Sequence, residues 1–313
     1  MSVLVVLLVA LPLASAAVVP ALGRAARRVA LLLALVHLGI TAAVVAVAVP
    51  TLDERAKWEQ RDRGDEYASR FRPEFVPGDP GLRGGSDAPD NRTAWTLFSL
   101  AEATGRPGTP GPNVQFYIGV DGLNLWLVAL SSLMLVPAVL VSWESVRDRP
   151  ASFYAWLFVL QAGVIGAFLS FDVVLFYVFF ELTLIPAFFL YTLAGSLLTL
   201  VGVVGVVLTN LNPDGGVTFS IPQLMVNVQQ GLHDAHQKAL AGDGAELAAR
   251  QATQFWLFLA LMAGFMVKVP IWPFHTWLPA AYGEAPVGVT LLLSALMAKL
   301  GTFGILRLVL PLV

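Results

Sequence analysis

Long apolar runs alternate with polar stretches along the whole chain. Residues 2–22 and 29–50 are almost wholly apolar, and each run is long enough to cross about 30 Å of hydrocarbon. A short linker with Arg24, Arg27 and Arg28 separates them. A polar stretch over 51–113 follows; its GDPGLRGGSDAPDN and GRPGTPGPN segments are turn and loop sequences. FYIGVDGLNLWLV (116–128) leads into a third span at about 121–143, and ESVRDRPAS joins it to a fourth at about 153–170. Phe171 and Asp172 make a brief turn before a long apolar run over 173–209. Residues 210–254 form a second polar loop, in which IPQLMVNVQQGLHDAHQKAL reads as an amphipathic interfacial helix. A span over 255–280, interrupted by Pro270, Pro273 and Pro279, comes next. A loop at 280–287 and a final span to about 309 complete the pattern.

This pattern implies an all-α polytopic membrane protein with about eight transmembrane helices and a broken seventh. Its organisation reads as two N-terminal helices (1–50), a long polar outer loop (51–115) and a transmembrane bundle (116–313). The 37 residues of 173–209 are the ambiguous part. As one straight helix they would measure roughly 55 Å, nearly twice the hydrocarbon core. Two spans need a turn near 187–193, where AFFLYTL has no turn residue. The total is seven spans if the run crosses once. Arginines in the 24–28 and 144–152 loops place both in the cytoplasm and the N-terminus outside. The ASA at 14–16 resembles a signal cleavage site, but no basic region precedes it and the apolar run continues past it, so a retained first span is expected.

Composition agrees with a membrane protein: 57% of residues are hydrophobic and 13% charged, with mean hydropathy +0.73. A net charge of −2 without a basic tail gives no sign of a nucleic-acid partner. The absence of cysteine excludes disulfides and thiolate-held iron–sulfur clusters or zinc. His233 and His236 are close in sequence but have no accompanying ligand set, so a metal site is not expected. His37, inside the second span, reads as a histidine bonded to a neighbouring helix.

The few charges within apolar runs carry the candidate chemistry. Glu181, Lys268 and Lys299 fall in three different segments. A charge at membrane depth costs roughly 2.5–3.5 kcal/mol on insertion scales, so its presence asks for a function. Burial disfavours the charged amine of a lysine, and a nearby carboxylate restores it. A carboxylate that approaches or leaves a buried lysine can therefore make it hold or release a proton. Lys268 also lies beside a proline break, and broken helices with buried charges mark ion paths. Such a break survives in lipid only where protein or water covers the freed carbonyls. The bland alternative is a structural Glu–Lys pair joining two helices. His275, in PFHTWLP, could extend the relay or bond freed carbonyls. Asp121 is expected at the membrane edge and Arg307 to snorkel to the interface. Glu284, in the GEAP loop, is expected near the surface, and Trp272 and Trp277 as packing or interfacial aromatics.

FMVKVPIWPFHTWLPAAYGEAPVGVTLLLSALMAKLGTFGILR closely resembles the antiporter-like membrane subunits of respiratory complex I, the NADH–quinone oxidoreductase. FYIGVDGLNLWLV, FYVFFELTLIPAFF and FLYTLAGSLL are similar to subunit M within that group, called subunit 4 in mitochondria. The resemblance implies a proton-translocating membrane subunit whose transmembrane glutamate corresponds to Glu181, with relay lysines at Lys268 and Lys299. It implies no cofactor in this chain; NADH, FMN, iron–sulfur clusters and quinone would belong to partner subunits. It also implies other complex I membrane subunits, the lipid bilayer and protons as partners, in a bacterial inner membrane. An Mrp-type cation/proton antiporter subunit, a membrane-bound hydrogenase subunit and a non-transporting scaffold are the alternatives.

Three departures from the family pattern stand out. The resemblance covers its N-terminal part, eight of about fourteen spans. A cytoplasmic loop between the fifth and sixth helices is missing where AFFL runs into YTLAGS. Tyr282 stands where the family commonly has a histidine, which leaves a relay role there without support.

Overall fold

The computed structural model describes residues 1–61, 73–78, 93, 95–99, 113–147, 149–183, 191–213, 215–242, 244–272, 274–275 and 277–313. Helices dominate. The N-terminal pair is α1 (Ser2–Val18) and α2 (Ala26–Arg61), joined by a 3-10 turn over Val19–Ala25. Gly23 reverses the chain there at φ 51°. A small antiparallel pair, β1 (Thr96–Ser99) with β2 (Asn113–Gln115), lies within the expected outer loop. Then come α3 (Asn124–Ser145), α4 (Pro150–Leu169), α5 (Val173–Leu182), α6 (Tyr191–Thr209), α7 (Ile221–Leu240), α8 (Ala245–Lys268), α9 (Trp277–Glu284) and α10 (Val287–Leu312). Among the described residues five helices are long and apolar enough to cross a membrane: Ser2–Gly23, Ala26–Glu54, Asn124–Ser145, Pro150–Leu169 and Val287–Leu312.

Two ends of the bundle differ in kind. At one end the linking segments are sewn together by backbone hydrogen bonds. Phe171 N–H donates to Tyr117 O at 2.8 Å, Gly119 N–H to Leu169 O at 3.0 Å and Ile221 N–H to Phe171 O at 2.9 Å. Glu74 and Val120 exchange N–H···O bonds of 2.8 and 3.0 Å. Extended backbone from four parts of the chain thus forms a clasp, held by main-chain hydrogen bonds between distant segments. The opposite end carries Arg27, in the first turn of α2, and Arg147 and Arg149 in the α3–α4 connection.

The clasp also resolves the 173–209 run. Asp172 bridges Ser220 at the start of α7, and Asn227 of α7 donates to Asn210 O at 3.1 Å just after α6. The chain therefore enters through α5 and returns through α6 to the same end, and the run is not one straight span. Residues 184–190, between α5 and α6, lie outside the described residues, as does part of the 187–193 stretch where a turn was expected. Helices pack closely where glycine permits. A Cβ on Gly166 would run into the Phe179 ring across α4–α5, and one on Gly202 would meet Leu261 across α6–α8.

Several boundaries differ from the sequence pattern. α2 continues eleven residues past Pro50 to Arg61, because an exposed helix end needs no apolar run. α8 begins at Ala245, inside the polar loop assigned to 210–254; AELAARQATQ is polar but made of good helix formers. α7 is amphipathic as expected, burying Ile221, Leu224, Met225 and Val228. His233 and His236 lie exposed along it.

Asp172 is the polar centre of the clasp. Its carboxylate accepts from Val174 and Leu175 N–H at 2.9 and 3.0 Å, capping α5, and from Gln115 N–H at 3.1 Å. It is only 2% exposed. Burial pushes the Asp172 carboxyl up to about 7, against the pull of the three N–H donors. A folded value above the ordinary 3.8 means that folding favours the protonated form. This contribution to stability is fully present below about pH 4 and is lost as pH rises through about 7. Asp172→Asn should flatten the fall in thermal stability between pH 5 and pH 8 by an amount on the order of a few kcal/mol. Melting curves of both proteins in detergent check this; parallel pH profiles would refute it.

Candidate functional site

The site is built where two helices stop. α5 ends at Leu182 and α8 at Lys268. Carbonyls in the last turn of a helix lack intrahelical partners and carry its negative end. Lys268 fills that role for α5: its Nζ donates to Phe180 O at 2.8 Å. The Thr183 hydroxyl donates to the same oxygen at 2.7 Å. The ammonium also lies 2.9 Å from the centroid of the Phe180 ring, and aromatic faces attract cations. Glu181 Oε1 is 3.8 Å from Nζ. That is an ion-pair separation, longer than a hydrogen bond. Lys268 is 3% exposed and Glu181 25%. The structure thus brings Glu181 and Lys268 together from spans 87 residues apart.

One freed carbonyl at the break after Lys268 is covered by protein. Trp277, at the start of α9, donates its indole Nε1–H to Val267 O at 2.9 Å. A tryptophan read from sequence as packing thus closes one of the freed carbonyls. Trp272 by contrast is 78% exposed. His275 lies exposed in the break and is not brought to the Glu181–Lys268 pair. Tyr282 is half-buried on α9, and the Glu284 side chain is outside the described residues.

Lys299 is not part of this cluster. A Cβ on Gly301 would meet Val269 and the Phe265 carbonyl, so that face of α10 packs on α8. Two residues turn a helix by about 200°. Lys299 therefore points away from α8, and its side chain is exposed. Sequence depth alone had placed it beside the path; the rotation of its helix takes it to the outer flank. π-turns at Leu293–Met297 and Ile305–Val309 bracket the segment that carries it.

A second buried cation was missed at the sequence level. Arg307 is 1% exposed, and its Nη2 donates to Asp121 Oδ2 at 2.5 Å. The guanidinium carbon lies 4.5 Å from the Phe171 ring centroid and 5.2 Å from that of Phe303. Arg307 does not snorkel and Asp121 is not a solvated edge carboxylate. Both sit near the clasp end of their helices, α10 and α3, at one level. Comparing the depth of each charge from its own helix end was the signal that could have paired them. Asp121 also accepts from Leu123 and Asn124 N–H at 3.0 and 2.8 Å, which holds the start of α3. Aromatic rings join the two cations. Phe303 lies 6.3 Å from Phe176, and Phe176 lies 5.4 Å from Phe180. Phe265 packs edge-on against Phe180 at 5.3 Å.

His37 is fully buried, with Nε2 3.0 Å from Leu8 O on α1. The carbonyl can only accept, so Nε2 carries the proton. This is the helix-joining histidine expected from sequence.

Residues 170–313 match the transmembrane family described as NADH:quinone oxidoreductase/Mrp antiporter. The chain is 34% identical over 220 residues to F(420)H(2) dehydrogenase subunit M of Methanosarcina mazei, covering 64% of this chain and 41% of that one. It is 30% identical over 249 residues to NADH-quinone oxidoreductase subunit M of Pseudomonas aeruginosa, covering 72% and 44%. The chain belongs to the antiporter-like membrane subunits of the complex I family. Its fold agrees: a chain of respiratory complex I from Thermus thermophilus superposes with TM-score 0.63 over 98% of this chain and 53% of that one, at 23% identity. A chain of the Mrp complex from Dietzia sp. superposes with TM-score 0.59 at 19% identity, covering 98% and 48%. This antiporter-like chain thus spans about two fifths of the curated relatives it matches and about half of the solved ones.

Removing one partner of a buried ion pair leaves the other charge unpaired, at a cost of about 3–5 kcal/mol. Asp121→Asn and Arg307→Met should each lower stability by about that amount, and the double variant Asp121→Asn/Arg307→Met, which keeps an acceptor for the start of α3, should recover most of it. Melting temperatures of the three proteins in detergent test this. Additive losses in the double variant would show that the pair is not the source of the effect.

Proposed function

We propose that this antiporter-like subunit moves protons through Lys268 under the control of Glu181, as part of a complex that couples transport to quinone reduction in partner subunits. The observation that carries the reading is the Glu181–Lys268 pair at 3.8 Å, with the lysine 3% exposed at the junction of two helix ends. Their attraction is roughly 4 kcal/mol at an effective dielectric of 20. That is large beside thermal energy. A small shift of Glu181 then decides whether the amine keeps its proton, while Phe180 O and two helix C-termini hold the ammonium when it is charged. The 3.8 Å separation is that of an ion pair rather than a short hydrogen bond, so the coupling is mainly electrostatic.

On this reading the arginine-bearing end faces the cytoplasm of a bacterial inner membrane and the N-terminus faces outward, by the bias of short basic loops. Residues 1–50 and 116–313 serve as two parts of one bundle. Lys299 takes its proton on the outward flank of α10, against a further membrane segment or neighbouring subunit. A bare ammonium on a lipid-facing flank would cost roughly 2.5–3.5 kcal/mol. NADH, FMN, iron–sulfur clusters and quinone stay with partner subunits.

A second reading, cation/proton exchange, is favoured by the likeness to an Mrp complex. Lys268→Met in the assembled complex should abolish proton pumping, and Glu181→Gln should reduce it severalfold, with electron transfer to quinone retained in part. Quenching of a pH-sensitive dye in inverted vesicles reads pumping. Unchanged pumping in Lys268→Met would end the proposal. Dye quenching driven by a cation gradient alone would favour the exchanger.

A further inference from the structure

At the basic end, the α1–α2 turn and the α3–α4 connection enclose a cleft of about 560 Å³ lined by Gly23, Arg27, Arg147, Arg149, Pro150 and Ala151. Three of its six lining residues are arginines. Among the described residues none of the three meets a carboxylate. Asp148 lies between two of them in sequence and is outside the described residues; with it the lining segments remain net positive. Arg27 donates from Nη2 to Val146 O at 2.7 Å, which anchors its guanidinium at the cleft. Its Nε–H is buried and has no partner. The cleft also opens at the start of α4, where Arg149 precedes Pro150 at the first helical position. The free N–H groups and positive end of that helix add to the field of the arginines.

Guanidinium groups present forked donors that match phosphate oxygens. The location selects which phosphate. The cleft is at the end of the membrane helices, and each helix beneath it exposes large apolar side chains within two turns. Val18 is 52% exposed on the α1 side, Val141 44% on α3 and Trp156 50% on α4. A group with a phosphate above and acyl chains below satisfies both surfaces, and basic pockets at this depth suit anionic headgroups. We propose that Arg27, Arg147 and Arg149 form a binding site for the phosphate of an anionic phospholipid, pinning the first helix pair to α3 and α4. The site is separate from Lys268 and does not depend on the transport reading.

The test uses the full chain reconstituted into phosphatidylcholine vesicles with or without one quarter phosphatidylglycerol, and phosphatidylglycerol retained through purification is counted by native mass spectrometry. A charge near an anionic surface is worth about 1 kcal/mol, so Arg27→Gln/Arg147→Gln should weaken retention about 30-fold. Arg28→Gln removes a charge from the same turn without touching the cleft and should change retention less than about twofold. Arg27→Lys keeps the charge but loses the fork and should fall between them. Helix content and melting in phosphatidylcholine alone should match the parent, which separates loss of binding from loss of folding. An equal loss in Arg28→Gln would mean a diffuse basic belt and overturn the proposal. Protection by millimolar inorganic phosphate without phosphatidylglycerol would reassign the site to free phosphate and overturn the lipid assignment.

Discussion

Everything in the centre of this bundle depends on two helices ending at one lysine. A buried ammonium is tolerated only if its donors and charge are answered locally. Here the answer comes from the last turn of α5, the end of α8, the face of Phe180 and the carboxylate of Glu181. An unbroken α8 would have spent its last carbonyls on the next turn and left no helix end beside Lys268. The proline-rich segment that follows is therefore what creates the site. Trp277 makes the break bearable by taking the carbonyl of Val267. Interruption of the helix, burial of the lysine and placement of the tryptophan are one constraint met in three ways.

The second buried pair ties this centre to the clasp. Arg307 and Asp121 join the last helix to the third, and Asp172 locks the neighbouring turn by capping α5. Since α5 carries Asp172 at one end and Glu181 at the other, the carboxylate that faces Lys268 stands on a helix whose start is fixed.

The spans and their order were legible because lipid leaves no alternative to helix for an apolar run. The Glu181–Lys268 pairing was legible for a related reason: two opposite charges inside apolar segments have few other partners. The direction in which Lys299 points was not legible, because depth is readable from a run of residues but rotation is not when nearly every face is apolar. Arg307 and Asp121 were misread because a charge near a helix end satisfies the snorkelling rule equally well whether it points to water or to a partner. The start of α8 was obscured by polarity, since helix propensity in AELAARQATQ outlasts the membrane pattern. The return of 173–209 rests on backbone bonds among distant segments, which no local pattern encodes.

The arrangement of aromatics bears on direction. Between Lys268 and the clasp stand Phe180, Phe176, Phe303 and Phe171, closed by the Arg307–Asp121 pair. The rings have no group to carry a proton, and the arginine at the far end is already neutralised by its carboxylate partner. Toward the break the picture reverses: Glu181 is 25% exposed, His275 is exposed, and the backbone is irregular. Lys268 therefore has exposed and polar groups on one side and packed rings on the other, an asymmetry that suits the relay proposed for it. Over Phe171 and Phe303 the buried Arg307 closes the ring stack.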